Sequence, residues 1–445
     1  MGLLRAKLLY FSDLGKIIGQ KVWFIGKQSV FLHAKSLSRM RRRTSFSLFL
    51  LLVAFQAGAQ DLASRMASSD YRLDYAATRT LSFELDNISF FKDNEFEGQQ
   101  ARGYSLPGLW LQPKLTYQPL DAVRLELGLH ALIFDGANKY PCYAYHDIGR
   151  WKGNQYQSGA HLLPFFRAQA RLGKVTFVLG DIFGGANHRV MEPLMNPELN
   201  LTQDPEMGFQ LIADLPRWHL DAWLNWQSYI FEEDTHQEAF TVGFNQRVQL
   251  NDPQSTIAWY IPIDILVQHR GGEQDTTSMG VQTITNGGVG LGMKWKTGRR
   301  VLRSLTAEAA VLGCWQQSGH LWPFNTGVGG SLSVSAEFAK DFRAFASFFA
   351  ARDFVSLYGA PFYSTLSQKE PGARFSRMLT PHVGVEWHHT FARHYTLGLK
   401  ADVYPLAAGR LTHADGQVDA AAFSNNFSFG VYIRCNPRFL LKRFR

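Results

Sequence analysis

The chain has 445 residues and a formal net charge of +9, and the excess charge lies in its first sixty residues. That stretch holds ten Lys and Arg against one Asp, which leaves 36 bases and 36 acids in the remainder. A neutral body excludes the broad basic surface that nucleic-acid binding requires. Three cysteines without CxxC spacing argue against a disulfide framework or a zinc site, and we expect no metal and no cofactor.

The basic N-terminus has the features of an export signal. Arg41–Arg43 precede the apolar run 46–55, and Ala57-Gly58-Ala59 supplies the small residues that a signal peptidase needs. We predict a leader over residues 1–59, with translation starting at Met40. The alternative is a longer leader that uses the whole segment.

After the leader, apolar and polar side chains alternate with a period of two. In Arg217–Leu250, Trp218 to Trp226 and Phe240 to Val248 form two such stretches on either side of an acidic turn. Each is longer than the usual strand of a soluble protein and matches the nine to eleven residues of a transmembrane strand. No run of 18 apolar residues follows residue 60, so a membrane protein with this sequence must be a closed barrel.

The same alternation predicts sixteen strands, at 80–90, 107–118, 122–134, 162–172, 174–183, 206–214, 217–230, 237–250, 255–269, 277–296, 301–315, 327–339, 342–353, 381–391, 394–405 and 423–435. Short and long connections alternate between them, as in bacterial outer-membrane barrels. We therefore predict an all-β fold, a transmembrane antiparallel β-barrel of about 16 strands (range 14–18), over residues 79–435. Residues 60–78 form a periplasmic lead-in and 436–445 a basic periplasmic tail. A soluble sandwich shows the same alternation, but the strand lengths and the two classes of connection favour the barrel.

Two stretches carry a family resemblance. Gly180–Leu211, GDIFGGANHRVMEPLMNPELNLTQDPEMGFQL, and Tyr140–Gln157, YPCYAYHDIGRWKGNQYQ, resemble uncharacterised, porin-like outer-membrane β-barrel proteins of Bacteroidetes-type bacteria. The resemblance implies the fold and an outer-membrane location. It implies no activity and no functional residues.

An even number of strands with a long first connection places both termini on the periplasmic side of a bacterial outer membrane. The predicted partners are outer-membrane lipid, the barrel assembly machinery during biogenesis and small hydrophilic solutes. No nucleic-acid partner is expected, and protein partners stay open.

Inward-facing polar side chains are the candidates for the lumen and its selectivity, because a barrel of this size encloses an aqueous channel unless something fills it. They are Lys114, Arg124, Glu126, Arg167, Arg171, Asp221, Asn225, Arg247, Asp264, Lys400 and Asp402. Arg124, Arg167 and Arg171 could form a basic ladder for anions. The alternative is that these charges pair across the lumen with Glu126 and other acids. We predict a porin-like channel for passive diffusion of small hydrophilic, anionic or saccharide solutes.

Two long loops offer further candidates. Loop 184–205 carries His188, Arg189, Glu192 and Glu198, and it either folds inward as a constriction or caps the rim. Loop 135–161 carries Tyr143, Tyr145, Trp151 and Tyr156, which suit stacking on sugar rings or packing of the loop on itself.

Two other functions remain as alternatives. A non-conducting barrel would serve as a scaffold or as a component of surface polysaccharide export or of a secretion assembly. A hydrolase at the rim would use acid/base pairs such as His146-Asp147 or Asp234 with His236. Since no GxSxG, HExxH or P-loop motif is present, we predict that the protein is not an enzyme and has no catalytic residues.

Overall fold

The computed structural model describes residues 62–136, 142–145, 158–273 and 276–445, and strands dominate them. The leader 1–59 lies outside the described residues. The strands are β1 Thr80–Glu95, β2 Tyr104–Leu120, β3 Val123–Asp135, β4 Ser158–Leu172, β5 Val175–Asp181, β6 Met207–Leu215, β7 Trp218–Ser228, β8 Ala239–Gln249, β9 Ile257–Arg270, β10 Gln282–Lys296, β11 Leu302–Ser318, β12 Thr326–Phe338, β13 Phe342–Arg352, β14 Arg374–Phe375, β15 Met378–Phe391, β16 Tyr395–Ala408, β17 Arg410–Thr412, β18 Val418–Ala420, β19 Ser424–Cys435 and β20 Arg438–Arg443. Two short α-helices are α1 Leu62–Ala67 and α2 Leu199–Thr202.

Sixteen of the strands in the described part of the chain form one closed antiparallel barrel. They pair in chain order from β1 to β13 and on through β15, β16 and β19, and β19 pairs back with β1. The predicted all-β barrel of sixteen strands is confirmed. No helix within the described residues is long and apolar enough to cross a bilayer.

The two faces of the wall have opposite character. On β3, Leu127 and Leu129 point outward and are 62% and 47% exposed, whereas Glu126 and His130 point inward and are 2% and 4% exposed. A water-soluble sheet would bury the leucines and expose the charges. An apolar outer face over a polar interior is the arrangement of a barrel in lipid.

The barrel has one end with short turns and one end with long loops. The connections 121–122, 173–174, 216–217 and 392–394 lie at the short-turn end together with the start of β1 and the end of β20. At the long-loop end, β14, β17 and β18 form a separate three-stranded sheet.

Barrel closure uses two consecutive strands. The half of β1 nearer the long-loop end pairs with β19, from Asn87 opposite Cys435 to Glu95 opposite Phe427. The other half pairs with β20, from Glu84 opposite Arg438 to Thr80 opposite Arg443. The segment predicted as a separate basic tail is therefore a strand of the barrel sheet in this structure, because β1 would otherwise have an unpaired edge.

Three segments fill part of the lumen, two loops from the long-loop end and one N-terminal segment that reaches the short-turn end, and we call them together the plug. They are the N-terminal segment 62–75, the loop 182–206 between β5 and β6, and the loop 353–377 that precedes β15. In α1, Leu62, Ala63 and Met66 are buried against wall residues such as Ile88 and Tyr432. The two loops share one apolar cluster with residues of the wall. Of the two positions considered for loop 184–205, the structure shows the one inside the lumen.

Candidate functional site

The predicted basic ladder is an ion cluster around one carboxylate. Lys114 Nζ lies 3.1 Å, Arg124 Nε 3.0 Å and Arg167 Nη1 3.2 Å from the carboxylate oxygens of Glu126, which is buried. Arg171, in contrast, contacts the Tyr75 ring of the N-terminal segment. All three cations contact this acid, and Lys114 also lies 3.9 Å from Glu84, so the arrangement matches the alternative in which lumen charges pair with acids. One carboxylate among three cations still leaves the cluster positive.

The other inward candidates are also hydrogen-bonded. Their contacts are Asp221 with His188 and Gln210, Asn225 with the Met207 amide, Arg247 with Glu308, Asp264 with Asn245 and the Met191 amide, and Lys400 with Asp402. The structure places all of them inside the barrel, and most hold either the plug or a neighbouring strand.

His188 joins the plug to the wall. Its Nδ1 lies 2.7 Å from Asp221 Oδ2 of β7, and its Nε2 lies 3.2 Å from Glu206 Oε2. The ring is stacked at 3.5 Å on Trp223 and has no solvent exposure. Because both ring nitrogens face carboxylates, neither is free to take a proton from a substrate, and the group is a buried ionic anchor.

The remaining plug candidates make similar anchors. Glu192 Oε1 lies 3.2 Å from Nδ1 of the buried His382, whose Nε2 lies 2.8 Å from Asp402. Glu198 binds Lys92 of β1 and accepts hydrogen bonds from Asn94 and Tyr104. Arg189 differs from them, since its guanidinium is exposed in the lumen.

The predicted sugar-stacking residues are only partly described. Tyr143 packs edge-on to Trp322 and donates a hydrogen bond to the Leu366 carbonyl, so this aromatic packs loop on loop. The side chain of Tyr145 and all of Trp151, Tyr156, His146 and Asp147 lie outside the described residues. Asp234 accepts from the Phe231 amide and His236 contacts the Tyr229 carbonyl.

One hydrogen-bonded histidine lies on the lipid face. His269 is close to the end of β9 at the long-loop end, and β9 pairs it with Phe240 of β8 and Thr283 of β10. Its Nδ1 lies 2.9 Å from Thr283 Oγ1, and its Nε2 lies 2.9 Å from the Gly271 carbonyl oxygen. A carbonyl only accepts, so Nε2 carries a proton, and in the neutral ring Nδ1 is then the acceptor for the threonine hydroxyl. A hydroxyl that donates to a neutral imidazole is the arrangement of an activated nucleophile.

Local structure explains why this pair meets. His269 and Thr283 are directly opposite each other in the regular register of β9 against β10, so their side chains lie on the same face. On the other side of β10, the register against β11 shifts between Thr283 and Ile284, and such bulges are common beside active sites. The carboxylate of Glu238 lies near the histidine, with Gly272 between them. A Cβ added to Gly272 would lie 3.7 Å from His269 Nε2 and 3.8 Å from Glu238 Oε1. Burial raises the pKa of Glu238, and the neighbouring Glu273 raises it further.

Aromatic and apolar surfaces surround the His269–Thr283 pair. Trp226, Tyr229 and Phe240 stack beside His269, as expected for side chains at a lipid headgroup layer. Further along the same wall, β10 to β13 form an apolar groove of about 550 Å³ between larger side chains such as Leu291 and Phe348.

A second polar pair lies on the lipid face near the long-loop end. Ser105 of β2 donates a hydrogen bond of 2.6 Å to Asp93 of β1. Among the described residues no histidine contacts this pair. Across the described ranges, no group of three or more His, Cys, Asp or Glu could hold a metal ion.

The His269–Thr283 pair was absent from the sequence-based candidates. The available signal was the parity of β9, in which Ile261, Ile263, Ile265 and Val267 face lipid and His269 continues the same face. A histidine on a lipid-facing position is costly and suggests function. The register that places Thr283 opposite His269 depends on strand pairing and has no local sequence signature.

Comparison with known proteins gives one family and several distant folds. The model of the family described as Lipid A 3'-O-deacylase-type matches residues 72–444. That is an enzyme family of the outer membrane, so the prediction that the protein is not an enzyme is wrong. No curated protein matches the sequence.

Solved structures with a similar fold include two bacterial outer-membrane proteins. OccAB4 of Acinetobacter baumannii has 9% identity and a TM-score of 0.42, and the match covers 82% of this chain and 100% of that one. OprD of Pseudomonas aeruginosa has 8% identity and a TM-score of 0.39, over 84% of this chain and 99% of that one.

Proposed function

The chain belongs to the Lipid A 3'-O-deacylase-type family, and from that premise we propose that it hydrolyses an acyl ester of a lipid A-type glycolipid at the His269–Thr283 pair. The hydrogen bond from Thr283 Oγ1 to His269 Nδ1 on the lipid face carries the proposal. An O-deacylase needs a nucleophile and a base that an ester in the membrane can reach. The histidines anchored in the lumen, His188 and His382, are fully buried and have both nitrogens engaged.

The chemistry proceeds in two steps. Thr283 Oγ1 attacks the ester carbonyl as its proton passes to His269 Nδ1, and the imidazolium then protonates the departing sugar oxygen. Water next attacks the acyl-threonine with the same histidine as base, which releases the fatty acid and restores Thr283. The Gly271 carbonyl keeps the proton on Nε2, so that Nδ1 faces the hydroxyl.

The surroundings suit a lipid substrate. The stacked aromatic residues beside His269 lie where a sugar headgroup meets the acyl layer. Val289, which lines the apolar groove, is six residues beyond Thr283 on β10 and thus about 20 Å away at about 3.3 Å per residue. Between them, Gly287 of β10 is paired with Gly313 of β11, and no side chain protrudes from the outer surface at either residue. An acyl chain esterified to Thr283 can therefore lie along β10.

The experiment is a deacylation assay on the purified barrel in mixed micelles with lipid A, read by mass spectrometry as loss of one acyl chain. His269→Ala and the isosteric Thr283→Val should lower the rate by about 10²- to 10⁴-fold, whereas Thr283→Ser should keep much of it. Wild-type rates in both variants would refute the assignment. If Ser105→Ala alone abolished activity, the Asp93–Ser105 pair would be the site instead.

Passive transport is the second candidate, favoured by two cavities of about 640 and 660 Å³ in the lumen. The two plug loops lie between these cavities and the long-loop end, so solute passage requires the loops to move. Single-channel conductance in planar bilayers tests this function. A closed barrel that acts as a scaffold or export component would give none while retaining partners on purification.

The family and fold support a location in the outer membrane. We propose that the long-loop end faces outward and that both termini are periplasmic, that the leader 1–59 is removed, and that the source is a Bacteroidetes-type bacterium. N-terminal sequencing of the mature chain and protease accessibility of the long loops on whole cells test the leader and the orientation.

A further inference from the structure

The larger lumen cavity lies between the two plug loops and the short-turn end. It measures about 660 Å³, within the range of small-ligand sites, and is lined by polar and apolar side chains of β8 to β13 and by residues 189–197 of the plug. We propose that this chamber binds a small phosphorylated sugar, with Arg189 and Lys294 as its anion contacts. The inference is independent of the hydrolytic site, which lies on the opposite face of the wall.

The chamber is basic. Five cationic side chains and three carboxylates line it. Glu308 is paired with Arg247 at 3.1 Å, and Glu192 is held by His382 at 3.2 Å.

Three of the cations have no ion-pair partner, although Arg189 interacts electrostatically with Asp214 at longer range. Arg189, Arg217 and Lys294 form no ion pair with any residue that the structure describes. Unpaired cations in a concave, partly enclosed space raise the local concentration of anions.

Arg189 is held in a strained conformation that presents it to this space. Its φ of 55° and ψ of 28° lie in the left-handed region, which is costly for a residue with a Cβ. Its carbonyl accepts hydrogen bonds from Arg247 at 3.2 Å and Asn245 at 3.4 Å, so the wall fixes its backbone. The side chain lines both lumen cavities. Strain that persists on a charged residue is typical of functional sites.

Hydroxyl groups line the same chamber. Ser331 and Ser333 of β12 face the lumen and line the chamber, and β11 places Thr306 beside them. Ser333 is opposite Glu308, which accepts a hydrogen bond from Tyr260. Hydroxyls and a carboxylate bind the hydroxyls of a sugar, and the unpaired cations bind its phosphate. The two groups together favour a sugar phosphate over a simple sugar or a bare anion.

The test is calorimetric titration of the purified full-length barrel in detergent at low salt, with glucose 6-phosphate, glucose and inorganic phosphate as probes. Wild type should bind glucose 6-phosphate more tightly than either other probe. Arg189→Gly and Lys294→Met should each weaken that binding by about 10- to 100-fold, the value of a charge-assisted hydrogen bond. Arg299→Ala, in an exposed turn outside the chamber, is the matched control and should bind as wild type does.

Glycine accepts a positive φ, so Arg189→Gly should keep the thermal unfolding midpoint at or above that of wild type while affinity falls. That combination separates lost binding from lost folding. Equal affinity for all three probes in wild type, no binding, or unchanged affinity in both variants would overturn the proposal. The deacylation assay reads a different site, so its failure leaves this result unaffected.

Discussion

Replacing His188 by Leu should destabilise the barrel more than any exposed histidine replacement. The substitution leaves Asp221 and Glu206 without the imidazolium that lies 2.7 Å and 3.2 Å from them. Asp221 keeps the hydrogen bond from Gln210, and Glu206 keeps those from the Gly185 amide and Gln203, but both carboxylates lose their countercharge. Removing one partner of a buried ion pair costs about 3 to 5 kcal/mol.

His219→Leu is the matched control. His219 Nδ1 lies at the same 2.7 Å from a carboxylate, but its partner Asp214 is 43% exposed. Exposed ion pairs contribute about 0.2 to 1 kcal/mol, because water solvates each partner when the other is removed. The two variants delete the same side chain at the same distance and differ in burial.

Urea unfolding of the detergent-solubilised barrel, followed by tryptophan fluorescence and by the gel shift of the folded form, gives the free energy of unfolding for each variant. His188→Leu should also expose loop 182–206 to protease. If the two variants differed by less than about 1 kcal/mol, the plug would not depend on the His188 anchor, and the burial argument would fail.

Two further predictions address the lipid face and the long-loop end. Val311 is 64% exposed on the outer face, midway along β11. Val311→Arg should lower the free energy of unfolding, measured by the same urea unfolding, by about 2 to 4 kcal/mol, because the charged side chain would lie in the hydrocarbon layer. The hydrogen bond to Glu370 raises the pKa of His413. The contact should thus be complete below the unfolded pKa of about 6.5 and lost as pH rises through the higher folded value. Amide exchange in residues 410–420, corrected for intrinsic rates, should speed up from pH 6 to pH 9 in wild type and show no such rise in His413→Asn.

The strands were predictable because each one carries its own periodicity. Leu127 and Glu126 report the two faces of β3 without any knowledge of its neighbours, and a slip of one residue would put the charge in lipid. The closing strand β20 was missed, since Asn436-Pro437 interrupts the alternation, and the pairing of Glu84 with Arg438 joins residues that are far apart in the sequence.

The plug and the lipid-face pair were not predictable for a different physical reason. The loop 353–377 is held by contacts such as Asn286 with Val355 and Leu357, and Ser356 with the Pro193 carbonyl. These contacts join segments that are distant in the sequence, so they produce no periodic pattern of apolar and polar residues within the loop itself. The inward-facing charges could be named, but whether they pair or face a pore depended on which segments enter the lumen.

Because loops 182–206 and 353–377 fold into the lumen, little of their sequence is accessible to a binding protein that approaches the long-loop end from outside. Long loops are the usual sites for epitope insertion and the usual targets of antibodies and phages. Here much of that sequence is enclosed by the wall, and an insertion near His188 or Ser356 would have to fit inside a packed lumen. The accessible landmarks are the small sheet of β14, β17 and β18 and the connections near His236 and Glu273, where a tag or a binding reagent should be placed.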